Sequence, residues 1–434
     1  MNSFGLIRNK KGAALIVTYM VIAVLLAFGG FVVEVSNSQN NTANNFKKQA
    51  QAINIAEAGL DRALVWLRSQ STIPTGSIAS ISQNLPPTGT KLGSYTVVFT
   101  DLGSPGSDSS VRRYRVRSTG TVGSVTQTVT NYLQTDNYAR YIWFTNSESY
   151  GGTNVWFWDS DYLNGPTHTN GHFNIKGNPV FAGEVRSVDD YIRYYNNGYN
   201  INSSETSNSP YDNPDFQDTV TLGSDSINMP TQALNLRTAS TASGGLRLTG
   251  NTTIILNSDG TMTVTNSNKG WRNYKTALPS NGALFVNKGT LSLSGTLSGR
   301  LTVGASGNIY ITDDVLYAND PRLAGSTSTD ILGIISEGNV VVDDNAPTNL
   351  EIDASIMALN TSFLLENYTS GGAKGTLSVF GGIIQKQRGP VGTFSGTTKV
   401  SGYSKDYNYD ARLLTSPPPF VPTTGDYITL SWEN

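Results

Sequence analysis

The residues best suited to chemistry are few. His168 and His172 are the only two histidines in the 434-residue chain. Four residues apart, they would share one face of a helix and could hold a metal, with Asp159 or Asp161 as a third ligand. Gly165, Pro166 and Gly171 instead make the segment a turn, which breaks that geometry and favours a structural, hydrogen-bonded His168. Two carboxylate pairs, Asp313-Asp314 and Asp343-Asp344, fall at the same point of two similar segments. Acidic residues on neighbouring coils can work as acid and base in polysaccharide cleavage or bind calcium. Asp-Asp after a strand is also ordinary turn chemistry. Lys386, Arg388, Lys405 and Arg412 form a loose basic set, in which Arg412 can pair with Asp410 across a turn. Residues 141–163 concentrate aromatics (Tyr141, Trp143, Phe144, Tyr150, Trp156, Phe157, Trp158, Tyr162). These are either core packing or a platform on which sugar rings stack.

Composition removes many other chemistries. There is no cysteine, which excludes disulfides, thiolate metal sites and cysteine nucleophiles. No Gly-rich phosphate loop joins a strand to a helix, and no nucleophile–base pair is found. Lys and Arg number 30 against 32 Asp and Glu, so the whole chain has no electrostatic attraction for nucleic acid. Only 14% of residues are charged and 44 are Gly, a mixture suited to β structure with many tight turns. The expectation is a non-enzymatic protein with no cofactor and no bound metal.

The elements that carry these residues begin with an anchor. Residues 1–11 hold Arg8, Lys10 and Lys11 and no acid, a basic leader. Gly12–Val33 is free of charge; at 1.5 Å per residue it covers about 33 Å, enough for a ~30 Å hydrocarbon core. Residues 12–33 are therefore expected to cross a membrane, with the N-terminus cytoplasmic and the body outside. A cleaved secretory signal would have a shorter apolar core. Beyond it, Phe46, Ile53, Leu60 and Leu67 recur every seven residues. They predict a packing stripe on an amphipathic continuation over 34–69.

Lys10-Lys11-Gly12-Ala13-Ala14-Leu15-Ile16-Val17, followed by the apolar span and by Ala56-Glu57-Ala58-Gly59-Leu60-Asp61-Arg62-Ala63, resembles the PilX-type N-terminus of type IV pilus assembly proteins. The resemblance covers about 70 residues. It implies a leader cut by a prepilin peptidase between Gly12 and Ala13, and a helix half in the membrane and half packed on a β domain. It also implies other pilins as partners and a place in the bacterial cytoplasmic membrane, in a pilus or at the cell surface. Most pilins have Glu at the fifth mature position, which is Val17 here. That departure points away from a major, filament-building pilin and leaves a minor or priming pilin, or a membrane-anchored relative.

The rest reads as strands. Residues 69–90 are rich in Ser, Pro, Gly and Thr and read as a loop. Tyr95–Phe99, Val111–Arg117 and Val125–Leu133 predict a small antiparallel sheet over 91–135, similar to that of a pilin head, with its arginines either lining the solvent face or binding an acidic partner. From 140 to 420 short strands recur between Gly, Asn, Asp and Ser turns, with an Asn/Ser/Thr-rich excursion at 190–245. Gly307–Asp313 echoes Gly338–Asp344 at an offset of 31, and Gly289–Leu293 echoes Gly375–Val379. Such recurrence indicates a β-solenoid, with a β-sandwich as the alternative. Residues 165–171, 178–181, 356–359, 375–393 and 402–420, a reach of about 250 residues, also resemble a domain of unknown function found behind pilin-like N-termini in bacterial envelope proteins. That resemblance supports a solenoid and implies no activity. The expected class is thus α+β, mostly β: a long N-terminal helix, a small pilin-like sheet and a β-solenoid. The expected role is a minor pilin-like component of type IV pilus assembly or a pilus-presented adhesin for a glycan or other surface ligand. The alternatives are a polysaccharide-acting surface enzyme and a self-polymerising envelope scaffold.

Overall fold

The computed structural model describes residues 10–70, 72–104, 111–395 and 398–433. Most of the basic leader lies outside the described residues, as does the Ser104–Ser110 turn apart from Ser104. The chain is mostly β, with a long apolar helix at its start and large sheets after it. It divides into two compact units: Met1–Asp101 with Tyr114–Leu133 and Thr429–Asn434, and Leu102–Arg113 with Gln134–Ile428.

In the first unit one helix runs unbroken over Lys10–Arg68. It is long and apolar enough to cross a membrane. Its second half packs on a five-stranded sheet in the order Ile81–Leu85, Gly93–Gly103, Arg113–Val122, Val125–Asn137, Thr423–Glu433. The sheet alternates as its sequence does. Tyr95, Val97, Tyr114 and Val116 are buried, while Arg115 and Arg117 face solvent. Two of its strands differ from the sequence reading. Ile81–Leu85, in the stretch read as a loop, pairs antiparallel with Gly93–Val97. Thr423–Glu433 comes from the far end of the chain, so the sheet exceeds the 91–135 segment. Ile81–Leu85 has no strong apolar pattern of its own and is completed by its neighbour's hydrogen bonds, whereas Thr423–Glu433 alternates over Ile428–Trp432 but lies far from the segment in which the sheet was read.

The helix face differs too. Leu60 and Leu67 are buried, but Phe46 is 65% and Ile53 38% exposed. The covered face is Ala52, Ile55, Ala56, Leu60, Ala63 and Leu67. A strict seven-residue count drifts ~20° per heptad around a straight helix, so positions aligned at 60 and 67 have rotated off the sheet by 53 and 46. The contact also selects small residues. A Cβ on Gly120 would stand 2.0 Å from the Ala52 carbonyl oxygen, and one on Gly59 2.2 Å from Ser118 Oγ. Helix and sheet meet backbone to backbone.

The second unit is built on parallel ladders. One runs through ten strands: Leu246–Thr249, Ala283–Asn287, Arg300–Ala305, Ile331–Ser336, Leu350–Ala358, Ala373–Gln387, Trp143–Ser147, Thr167–Thr169, Val185–Ser187 and Val220–Leu222. A second joins Thr252–Asn257, Leu291–Leu297, Ile309–Tyr317, Val340–Val342 and Phe363–Leu365. These pairs are parallel, unlike the antiparallel strands of a sandwich. The first sequence echo is a direct pairing, since Ile309–Ile311 lies in register against Val340–Val342, 31 residues on. The second is not, because Leu291–Leu293 and Leu377–Val379 pair with other strands. Long strands change direction at glycine. Gly295 has φ +101, and a Cβ there would meet the Leu256 carbonyl oxygen at 2.2 Å.

Residues 190–245 are not wholly an excursion. Asp215–Phe216 pairs parallel with Val180–Phe181, Val220–Leu222 with Val185–Ser187, and Ile192–Tyr194 with Asn174–Ile175. Leu234–Ala239 is a helical turn whose Leu236 and Ala239 join a buried cluster with Phe144, Phe285, Ile335 and Ile384. Strands of two or three residues leave no periodicity for a sequence to display.

If the helix–sheet contact is backbone to backbone, Gly120→Val should destabilise by about 1–3 kcal/mol, the usual range for overpacking. The denaturant midpoint of the full chain should fall, whereas Arg115→Val on the exposed face should leave it unchanged.

Candidate functional site

The ladder order is not the chain order, and one strand pair makes the join. Trp143–Ser147 lies parallel to the end of Ala373–Gln387, with Trp143 opposite Ile383 and Thr145 opposite Gln385. Each strand then runs into a charge, Glu148 after one and Arg388 after the other. The Arg388 backbone N–H donates to the Ser147 carbonyl at 3.0 Å. Its side chain, 2% exposed, donates from Nη1 to Glu148 Oε2 at 3.0 Å. Nη2 donates to the Trp156 carbonyl at 3.1 Å and stands 3.6 Å from Asp161 Oδ2. The guanidinium carbon sits 3.8 Å from the Phe157 ring centre.

The carboxylates are equally occupied. Glu148 Oε1 accepts from the Trp143 indole at 2.9 Å and the Thr145 hydroxyl at 2.5 Å. Asp161 pairs with Lys405 Nζ at 2.6 Å and accepts the Trp158 backbone N–H at 3.0 Å. Two cations thus balance two carboxylates, which is what allows the group to be buried. Burial pulls the Lys405 ammonium below the ordinary lysine range, and Asp161 opposes the shift. With both carboxylates held by cations, neither is presented as a free acid or base.

A cleft of about 250 Å³ opens beside this network. Trp156, Trp158, Lys176, Gln385, Phe394 and Lys405 help to line it. Gln385 Oε1 accepts the backbone N–H groups of Phe363 at 3.0 Å and Gly389 at 2.9 Å. Those two donors fix which end of the amide is oxygen. The other end, Nε2, is buried without a partner. Lys176 Nζ lies 4.1 Å from the ring centres of both Trp158 and Tyr195. Among the described residues it makes no ion pair.

Of the residues singled out from sequence, Trp143, Phe157, Asp161, Arg388 and Lys405 meet in this network, and the others are dispersed. His168 is buried, stacked on Phe144 at 5.0 Å, and its Nε2 bonds Asn170 Oδ1 at 3.0 Å. Burial lowers its pKa to about 4. His172 pairs with Asp189 at 2.8 Å. Among the described residues no three or more His, Asp and Glu gather as a metal site. Asp313 and Asp314 accept the N–H groups of Asp314 and Glu351, and Asp343 that of Asn345, each at 2.8 Å. Of the basic set, Arg388 and Lys405 meet in the buried network through Asp161, whereas Arg412 pairs with Asp410 at 2.6 Å. The aromatic run divides as well. Tyr141, Trp143, Phe144 and Phe157 are core, whereas Trp156 and Trp158 are half-buried at the cleft.

Sequence reasoning missed Glu148, Lys176 and Gln385. Glu148 meets its partner 240 residues away, and no local pattern signals such a pair. It also missed Asp353, whose carboxyl burial pushes up to about 6 beside Arg322. That arginine also holds Asp320 and Glu351, each at 2.7 Å.

The family described as Domain of unknown function (DUF4900) matches residues 94–189. The matched stretch spans the three central strands of the small sheet and the first strands of the second unit, including Trp143–Ser147, Glu148 and Asp161. It lies upstream of most of the segments whose sequence resembles such a domain. A search of the curated proteins gives no match to the chain. Among solved structures, the competence-associated pilin ComZ from Thermus thermophilus is similar at 13% identity and a TM-score of 0.34, covering 89% of this chain and 97% of that one. A likeness of that degree carries no argument about this chain's role.

Two outcomes follow from the geometry. Arg388→Met strands the Glu148 carboxylate in the interior and should cost about 3–5 kcal/mol, while adding Glu148→Leu should recover much of it. Denaturant midpoints of the three chains check this. His168 titrates in the unfolded chain near its ordinary 6.5 but in the folded protein only at about 4. Stability is therefore full above pH 6.5 and is lost as pH falls towards 4, by about 3 kcal/mol. The raised Asp353 carboxyl acts in the opposite direction over the same range, so the test is the difference curve. Relative to wild type, His168→Gln should lose less stability between pH 7 and 4.

Proposed function

We propose that this chain is a non-enzymatic, membrane-anchored, minor pilin-like subunit of a bacterial envelope, whose body is a β-solenoid displayed outside the cytoplasmic membrane. One observation carries the reading. A single helix has an apolar first half that no described residue covers and a second half packed on an antiparallel sheet. An uncovered apolar helix of that length needs either lipid or other helices around it. Lateral transfer between those two environments is what a pilin helix does. The PilX-type pattern at residues 10–17 and 56–63 supports the same reading and makes Gly12-Ala13 the processing site for a prepilin peptidase.

The solenoid reading rests on the in-register parallel ladders and on an interior of stacked Leu, Ile and Val. A body of nearly 300 residues on each subunit, together with Val17 where pilins carry Glu, favours a tip or other rare position over the bulk of a filament.

Mass spectrometry of protein isolated from its own cells checks the proposal. A mature chain beginning at Ala13 is expected, and Gly12→Arg should leave Met1 in place. An intact Met1 in the wild type would make the chain a static membrane protein. A cut after the apolar span would make it a released one.

A further inference from the structure

We infer that the cleft beside the Arg388 network is a binding site for an acidic saccharide. Three observations converge. The Gln385 amide is wholly buried, its oxygen is committed to two backbone donors, and its Nε2 faces no acceptor in the protein. A buried unmet donor costs about 1–3 kcal/mol, and a ligand oxygen entering the cleft removes that cost. The Lys176 ammonium is held between the Trp158 and Tyr195 rings and has no carboxylate partner among the described residues, so it is a positioned cation awaiting a counter-charge. Trp156 and Trp158 are half-buried and line the same cleft. Flat aromatic surfaces suit the C–H faces of a sugar ring, while its hydroxyls meet polar groups around the rim.

An extended peptide fits less well. The strand carrying Gln385 is paired on both sides, with Leu350–Ala358 and with Trp143–Ser147, so it has no free backbone edge for strand addition. A uronic-acid unit supplies each missing feature: a carboxylate for Lys176, a ring face for tryptophan and a hydroxyl or ring oxygen for Gln385. The site stands apart from the pilus reading, because its occupancy does not depend on whether the helix is processed.

The test is isothermal titration of the full chain in a detergent without sugar headgroups, with digalacturonate as the probe and neutral galactobiose and an acidic tetrapeptide as comparisons. Saturable binding of digalacturonate is expected. Lys176→Met should weaken it at least tenfold and Lys176→Arg should retain it, while the remote surface variant Lys275→Met should bind as wild type. Thermal melts confirm that each variant is folded. The proposal is overturned by no binding up to about 10 mM, by equal binding of galactobiose, by equal affinity of Lys176→Met, or by binding of the tetrapeptide alone.

Discussion

A guanidinium that water cannot reach holds the second unit together. Arg388 closes the join between strands 240 residues apart, and both terminal nitrogens and the face of its head are directed at something fixed: a carboxylate, a carbonyl and an aromatic ring. A charge can stay in such a place only when its partner is in place too. Register at the join is therefore specified chemically as well as by ladder hydrogen bonds. If Trp143–Ser147 slipped by one residue against Ile383–Gln387, the interior side chains would turn outward and the ion pair would part. The ladder on either side inherits its alignment from this point. The adjacent cleft does as well, since Gln385 lies on one of the joined strands, and Arg388, which follows it, reaches Asp161, the partner of Lys405.

The first unit solves a different problem by a different means. Its helix must be apolar along its first half and still pack closely along its second. Large side chains at the sheet contact would hold the backbones apart. Alanine on the helix and glycine on both partners allow the approach instead. Close backbone packing gives many weak contacts that depend on shape, and it leaves the large apolar residues Phe46 and Ile53 on the outside. Outward-facing residues of that kind suit neighbouring helices or lipid, which is consistent with a subunit that joins an assembly.

The sequence alone determined the long apolar span, the mostly β class and much of the punctuation. A charge-free span, a basic start and alternating strands are local properties, written in consecutive residues. The offset of 31 was legible because two neighbouring strands use similar residues at the same points, and the structure pairs those residues directly. Asp343 in its turn and Arg412 with Asp410 were legible for the same reason, since their partners lie two residues away.

Only the tertiary structure decided which distant segments meet. Nothing near Glu148 announces Arg388, and nothing near Lys176 announces Gln385, because side chains brought together by folding share no spacing along the chain. The strands of residues 190–245 were hidden because two or three residues cannot show a period, and their stability comes from the strands they join. The helix face was misplaced because a seven-residue count follows large side chains, whereas the real contact is set by the smallest ones. Local chemistry is encoded locally; a buried charge, a cleft or a close backbone contact exists only once the remote half of the chain has arrived.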